Sequence, residues 1–175
     1  MKPTIVMDAC SIAIFQSERV RVVDGPATRA VNFILQDAVM ALDCGDRIRT
    51  EWLAAASHAH SALNLADWLA DRLHDGAARL YLVPNDNHLK KALRQLGLHN
   101  MDRFYVLTAS AAMALVLASD DIDFYDPTLK NARHEKKERV KGNRQGVVCN
   151  WLRKNLRVEV SRLCDAPDIL TAQRQ

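Results

Sequence analysis

The chain has 175 residues and a net charge of +3, with 49% hydrophobic and 26% charged residues, which is typical of one globular domain with a buried core. Its 6 glycines and 5 prolines argue against long disorder, and no apolar run approaches the roughly 20 residues of a membrane helix. The cysteines at positions 10, 44, 149 and 164 show no paired metal-binding spacing, which favours reduced thiols in a cytoplasmic protein without a membrane anchor.

The first half of the chain is predicted to alternate strands and helices. Residues 4–8 (TIVMD) are apolar and β-branched, which predicts a buried strand rather than a signal sequence, and a loop should follow up to Gly25. Apolar residues at helical spacing predict a helix over 31–42, and residues 47–49 can form a short strand. Thr50 is the expected N-cap of the next helix, which would place Glu51 in its first turn. Another amphipathic helix is predicted over 65–73.

The second half continues this alternation. A strand is predicted over 80–83, then a helix to about Leu96, then a helix that Asn100 caps, with Asp102 in its opening turn. Residues 114–118 (ALVLA) predict the clearest buried strand, a docked helix should cover 147–156, and 157–160 should form the last strand. This order predicts an α/β fold in which residues 1–175 form one domain. We expect a three-layer α/β/α sandwich around a mostly parallel sheet of roughly five strands.

Acidic residues follow the predicted strands or open the predicted helices. In open parallel sheets, ligands bind outside the carboxyl ends of the strands, so acids from separate segments can meet at one edge. Grouped carboxylates repel each other, and proteins relieve this by protonation or by binding a cation. A set of oxygen ligands suits Mg²⁺ or Mn²⁺ better than zinc. Taken singly, each acid could instead cap a helix or form a turn. The acids are Asp8, Glu51, Asp102, Asp120, Asp121 and Asp123.

Three segments, in this order, resemble the PIN domain, a metal-dependent ribonuclease fold: IVMDACSIAIF, TEWLAA and MDRFYVLTASAAMALVLASDDIDF. The last ends in SDDIDF, which is similar to the family's Ser/Thr-x-Asp-x-Asp-Phe signature. The resemblance covers nearly the whole chain, although Cys10 stands where Asn or Ser is more usual. Residue by residue, it implies metal ligands at four acidic positions, which are Asp8, Glu51, Asp102 and Asp121. It also implies a catalytic hydroxyl at Ser119 and an auxiliary acid, Asp123, that also binds metal.

The resemblance implies an endoribonuclease that depends on Mg²⁺ or Mn²⁺ and is of the toxin or RNA-processing type. Water activated by the metal would attack phosphorus and leave a 5′-phosphate and a 3′-hydroxyl. Two alternatives stay open: a non-catalytic PIN scaffold that binds RNA or protein, and a structure-specific DNA nuclease. An inhibiting antitoxin and a homodimer also stay open.

A basic segment separates the acidic signature from the last predicted strand. Between Lys130 and Arg157 the net charge is +8, which leaves −5 for the rest of the chain. We call residues 128–156 the basic insertion, because simple family members have a brief connection there. It resembles an RNA-binding addition, but few aromatic residues interrupt it, so base stacking is not expected. A solvated helix face or a surface for an acidic partner fits the same residues. The candidate RNA contacts are Lys130, Arg133, Lys136, Lys137, Arg139, Lys141 and Arg144.

Two further groups have plainer interpretations. His58 and His60 are two residues apart, which points them to different helix faces, and we expect both at the surface rather than on a metal. Trp52 and Trp68 are expected to pack in the core.

Overall fold

The structure is a computed structural model that describes residues 2–57 and 63–172. One parallel sheet lies at its centre. Its strands are β1 (Thr4–Met7), β2 (Val39–Asp43), β3 (Ala78–Tyr81), β4 (Val116–Ala118) and β5 (Glu159–Ser161). They are arranged in the order β3-β2-β1-β4-β5 and every neighbouring pair is parallel. The predicted α/β fold with a five-stranded sheet is therefore confirmed.

Helices flank the sheet on both faces. They are α1 (Ala9–Arg21), α2 (Pro26–Asp37), α3 (Arg47–Ser57), α4 (Leu65–His74), α5 (Asn87–Gln95), α6 (Asn100–Ala111), α7 (His134–Gly142), α8 (Val147–Leu156) and α9 (Ala166–Ala172). Short 3₁₀ helices cover Ile122–Phe124, Pro127–Leu129 and Leu163–Asp165. Crossovers between parallel strands are almost always right-handed, so the change of direction after β3 sends the next helices to the opposite face. Within the described part of the chain, no helix is long and apolar enough to cross a membrane.

The order of the strands reverses at β1. The chain runs outward from β1 through β2 to β3, then returns to the other side of β1 to form β4 and β5. Such a reversal leaves a crevice outside the carboxyl ends of the two strands that flank it. Here these strands are β1 and β4, paired from Ile5 with Val116 to Met7 with Ala118. The residues that follow both strands therefore meet at this crevice.

Trp52 connects α3 to the end of β1. Its side chain is fully buried, and its indole Nε1 donates a hydrogen bond to the Met7 carbonyl oxygen at 3.1 Å. Trp68 is half-buried and packs against the core, with its ring centroid 5.8 Å from that of Phe15. The prediction that both tryptophans pack in the core is confirmed, with Trp68 at its margin.

The segment after β1 is a helix, so the predicted loop up to Gly25 was wrong over most of its length. Asp8 caps α1, because its Oδ1 accepts a hydrogen bond from the Ser11 amide at 2.8 Å. The predicted helix over 31–42 was also wrong in its second half, since α2 ends at Asp37 and β2 begins at Val39. A fully buried apolar run fits a helix and a strand equally well, so its periodicity could not separate the two.

Helix α3 begins earlier than predicted. The Asp43 carboxylate accepts hydrogen bonds from the amides of Arg47 (3.1 Å) and Ile48 (2.9 Å), which fixes the start of the helix at Arg47. The predicted strand over 47–49 and the predicted Thr50 cap were therefore wrong. Glu51 lies in the second turn, on a helix that Trp52 holds against β1.

The second half follows the prediction more closely. Helix α5 ends before Gly97, which has a φ of +90°, and Asp102 lies in the first turn of α6. Strand β3 starts two residues earlier than predicted, and the basic insertion contains α7 and α8 with a break after Gly142. Helix α9 was not predicted. His58 and His60 lie outside the described residues.

Candidate active site

A chain of hydrogen bonds joins the ends of β1 and β4. The Ser119 hydroxyl donates to Asp8 Oδ2 and accepts from the Asp121 amide at 3.0 Å. Asp121 Oδ1 in turn accepts from the Asp123 amide at 3.0 Å and caps the 3₁₀ helix Ile122–Phe124. Ser119, Asp121 and Asp123 of the SDDIDF segment thus form one connected unit, and Ser119 links it to Asp8.

Asp8 is the most enclosed acid of this unit. Its side chain is only 3% exposed, and burial raises its pKa to about 6, although the Ser119 and Ser11 hydrogen bonds oppose the shift. Both carboxylate oxygens accept protein donors, since the Cys10 thiol lies 3.1 Å from each of them. Asp8 is therefore oriented on all sides by groups of the chain itself.

Cys10 contacts both Asp8 and the segment that follows β4. Besides its contact with Asp8, its sulfur accepts a hydrogen bond from the Asp120 amide at 3.3 Å. Burial, and then the charge of Asp8, raise the pKa of the Cys10 thiol, so it stays protonated at neutral pH. A protonated thiol can serve as a hydrogen-bond donor to the carboxylate, and it is a poor nucleophile.

Asp102 lies beside the acids of the signature. It is half-buried in the first turn of α6, where its Oδ2 accepts a long hydrogen bond from the His99 amide at 3.3 Å. Burial raises its pKa, and the negative charges of Asp121 and Asp123 raise it further. Asp102 is therefore close enough to Asp121 and Asp123 to be affected by their charges, and we call these three residues the acidic cluster.

Asp123 is the buried member of this cluster. Its residue is 4% exposed, and its Oδ2 forms an ion pair with the Lys130 ammonium at 3.3 Å. Its Oδ1 is also buried and has no hydrogen-bond partner among the described residues. A buried carboxylate oxygen without a partner costs free energy, so this atom is the clearest free acceptor in the cluster.

Glu51 lies close to Tyr105. Burial raises the pKa of the Tyr105 hydroxyl, and the Glu51 carboxylate raises it further. Glu51 Oε2 and the Tyr105 hydroxyl are both buried without a hydrogen bond of ordinary geometry to another described residue. Tyr105 also packs edge-on against Phe124 of the signature, with ring centroids 6.3 Å apart. No sequence pattern singled out Tyr105.

Two lysines of the basic insertion reach back to the acidic crevice. Lys130 pairs with Asp123, and Lys141 Nζ donates to the Asp120 carbonyl oxygen at 3.2 Å. Lys141 also pairs with Glu138 at 2.5 Å. Arg162 pairs with the same Glu138 carboxylate at 3.2 Å, which fastens α7 to the segment after β5. Arg162 was not predicted to take part, and its position directly after a strand is the signal that could have marked it.

The other candidate RNA contacts lie mostly at the surface. Lys137 Nζ donates to the Lys130 carbonyl oxygen. Arg133, Lys136 and Arg139 are exposed and border a shallow surface cavity of about 280 Å³ together with Glu135. Arg144 is exposed at the break between α7 and α8. The predicted set thus contains two lysines that pair with acids, one lysine bonded to a backbone carbonyl oxygen, and four exposed residues, Arg133, Lys136, Arg139 and Arg144.

A cavity of about 330 Å³ lies between the start of α3 and the start of α6. Glu51, Arg47 and Met101 are among the residues that line it. The Arg47 guanidinium stacks over the Phe104 ring at 4.8 Å. This Arg–aromatic pair is a second feature that the linear sequence did not indicate, because its members are 57 residues apart.

The carboxylate oxygens are the type of ligand that a hard divalent cation prefers, but their side chains are not arranged around a common point. Across residues 2–57 and 63–172, no three His, Cys, Asp or Glu side chains are positioned together as a ready-made metal site. The unpartnered Asp123 Oδ1 and the repulsion of Asp102 by Asp121 and Asp123 are nevertheless the features that a cation would relieve. Asp8 differs, because its oxygens already have partners.

Comparison of the chain with protein-family models, with curated proteins and with solved structures finds no match. The PIN-domain resemblance therefore stays a prediction.

Proposed function

We propose that the chain is an endoribonuclease of the PIN type that depends on Mg²⁺ or Mn²⁺. One observation carries this proposal: a connected unit of Asp8, Ser119, Asp121 and Asp123 lies at the strand-order reversal, with Asp102 beside it. Open α/β sheets place their ligands at this point. Grouped carboxylates at such a point are typical of phosphodiester hydrolysis assisted by divalent metal.

The residues have distinct proposed roles. Asp102, Asp121 and Asp123 would hold the cation, and Asp8 and Glu51 are further ligands if their side chains turn from their present contacts. When bound, the ion activates water and stabilises the oxygens of an in-line attack on phosphorus. Ser119 orients Asp8 and fixes the Asp121 backbone through its two hydrogen bonds. The expected products carry a 5′-phosphate and a 3′-hydroxyl.

The basic insertion supports RNA as the substrate. Its exposed cations, Arg133, Lys136 and Arg139, can hold phosphates that flank the one at the acidic cluster. We further propose a cytoplasmic location, to which the free state of all four cysteines is suited. An antitoxin or a second copy of the chain stays a prediction from the resemblance.

A non-catalytic RNA-binding module is the second candidate, and one observation favours it. Asp8 accepts hydrogen bonds from the Ser11 amide, the Cys10 thiol and the Ser119 hydroxyl, which leaves it little capacity for a metal. In this case the acids would be structural, and the basic insertion alone would bind nucleic acid. A nuclease assay separates the two candidates, and parallel substrates of single-stranded RNA and flapped DNA separate a ribonuclease from a DNA nuclease.

Mn²⁺ should stabilise the protein, and cleavage of single-stranded RNA should need it. At 100 times its dissociation constant a ligand adds about 2.7 kcal/mol to the free energy of unfolding, which corresponds to a Tm rise of about 5–10 °C. Asp121→Asn should remove most of this rise and lower the cleavage rate at least about 100-fold, because a metal ligand is lost. Differential scanning fluorimetry and a gel assay with Mn²⁺ or EDTA measure both effects.

Asp126→Asn is the matched control for this test. Asp126 also caps a 3₁₀ helix through its carboxylate. It is not one of the hydrogen-bonded residues Asp8, Ser119, Asp121 and Asp123. The control variant should keep both the Mn²⁺ response and the activity. Cleavage that survives EDTA, or an Asp121→Asn protein as active as the control, would remove the metal-dependent nuclease from consideration.

The exposed cations of α7 should contribute to RNA affinity in a salt-dependent way. Each phosphate neutralised on a single strand adds about 0.7 to the slope of log K against log salt concentration. The double variant Lys136→Ala/Arg139→Ala should therefore lower the slope by about 1.4 when binding is measured in EDTA by fluorescence anisotropy. Lys90→Ala/Lys91→Ala on α5 is the charge-matched control. Equal slopes in the two double variants would exclude α7 from the RNA-binding surface.

A further inference from the structure

Lys130 neutralises the buried acid of the cluster. Its Nζ lies 3.3 Å from Asp123 Oδ2, and the two side chains are 63% and 5% exposed, respectively. A buried carboxylate without a counter-charge is costly, and a lysine side chain that is itself mostly in water is a cheap source of that charge. The Lys130 ammonium is therefore the counter-charge of the Asp123 carboxylate.

The backbone of Lys130 is held while its side chain is free to move. Asp126 caps the 3₁₀ helix Pro127–Leu129, and the Lys130 amide donates to the Pro127 carbonyl oxygen at 3.2 Å. The Lys130 carbonyl oxygen accepts from Lys137 Nζ, which ties the same residue to α7. The side chain emerges from this fixed point into solvent, so it can leave Asp123 without any rearrangement of the fold.

Lys141 differs from Lys130 because its side chain is enclosed. Its side chain is 13% exposed and contacts both the Glu138 carboxylate and the Asp120 carbonyl oxygen. This enclosed lysine connects α7 to the sheet, whereas Lys130 contacts an acid that also has a free oxygen, Asp123 Oδ1. Only a movable cation can exchange with an ion from solution.

We propose that Lys130 is an internal counter-ion that a divalent cation must displace from Asp123, so that this lysine sets the metal concentration at which the site fills. The proposal rests on the proposed metal-dependent function. The free protein keeps Asp123 paired, and the metal competes with a tethered ammonium for the same oxygen. Because binding couplings are reciprocal, removal of the ammonium strengthens metal binding by the amount that metal binding weakens the ion pair.

The test compares Mn²⁺ titrations of the whole protein, followed by thermal unfolding, for wild type, Lys130→Gln and Lys136→Gln. Lys136→Gln removes an equal charge from the exposed face of α7 and is the matched control. In EDTA, Lys130→Gln should lower the Tm by about 2 °C, since Asp123 loses its partner. Its half-saturating Mn²⁺ concentration should nevertheless be about fivefold lower than that of wild type, while the control matches wild type.

The outcomes separate this proposal from the function on which it rests. A lower Tm with an unchanged Mn²⁺ midpoint would show a purely structural ion pair and overturn the counter-ion proposal alone. A midpoint that falls equally in Lys136→Gln would overturn it as well, because the effect would then be one of general charge. If Mn²⁺ changes the Tm of none of the three proteins, both proposals fail together.

Discussion

Replacement of Asp8 by asparagine should abolish RNA cleavage and at the same time stabilise the metal-free protein at neutral pH. Asp8 is buried, and its pKa is raised from 3.8 to about 6 because burial disfavours its charged form. Asparagine keeps the N-cap of α1 and carries no charge, so it avoids the cost of burying a carboxylate. We expect the variant to be more stable by up to about 3 kcal/mol at pH 7 to 8.

The stability gained by Asp8→Asn should depend on pH. Between about pH 4 and pH 6 the folded state holds a proton on Asp8 that the unfolded state has lost, so wild-type stability falls as the pH rises through this window. Asp102 and Asp120 also have raised pKa values, which act in the same direction in both proteins. The difference between wild type and Asp8→Asn should therefore be small below pH 4 and reach its full size above pH 6. Urea unfolding in EDTA from pH 4 to pH 8 measures it.

Asp86→Asn is the control for this series. Asp86 caps α5 by accepting from the Leu89 amide at 2.8 Å, as Asp8 caps α1, but it is exposed. Its variant should gain no stability over wild type above pH 6. An Asp8→Asn protein that does the same would mean that burial imposes no cost on the Asp8 carboxylate.

Gly146→Ala should destabilise the protein by about 3 kcal/mol or more. Gly146 has a φ of +128°, which L residues rarely adopt, and an added Cβ would lie 2.2 Å from the Tyr125 carbonyl oxygen. That oxygen accepts the Val148 amide at 3.0 Å, so the start of α8 cannot move away without losing a hydrogen bond. The Tyr125 hydroxyl donates to the Ser119 carbonyl oxygen at 3.0 Å, so activity should fall as well.

Gly76→Ala separates backbone strain from steric clash. Gly76 has a φ of +78°, but a Cβ there meets nothing within 4 Å. This variant should lose only about 1 kcal/mol, the cost of the left-handed conformation alone. Equal losses in the two variants, measured by urea unfolding, would mean that the contact with Tyr125 relaxes and that α8 is not fixed at this point.

The sequence predicted the position of those acids that directly follow a strand or begin a helix. Asp8 follows a short apolar strand, and Asp121 and Asp123 follow another, so the geometry of parallel sheets predicts that they meet. Asp102 was found because an acid in the first turn of a helix is a local signal. The spacing within SDDIDF also has a local cause, since Ser119 and Asp121 each accept the amide two residues ahead.

The features that were missed depend on contacts that are distant in sequence or ambiguous in pattern. The boundary at Ala38 was invisible because a buried apolar run suits both periods. The Asp43 cap was missed because that acid belongs to the preceding strand rather than to the helix it caps. No rule of spacing predicts that Lys130 turns back to Asp123, or that Glu51 lies beside Tyr105, since packing decides both.

The link between Ser119 and Asp8 spans 111 positions of the chain. Strand β1 can pair with β2 early, but it acquires its other neighbour only after β4 has been made. Since long-range pairings of this kind form slowly, assembly of the acidic unit has to wait for the global fold. A nascent chain that ends before residue 116 holds Asp8 without its partner strand, so any activity of the site belongs to the completed molecule and not to its growing fragments.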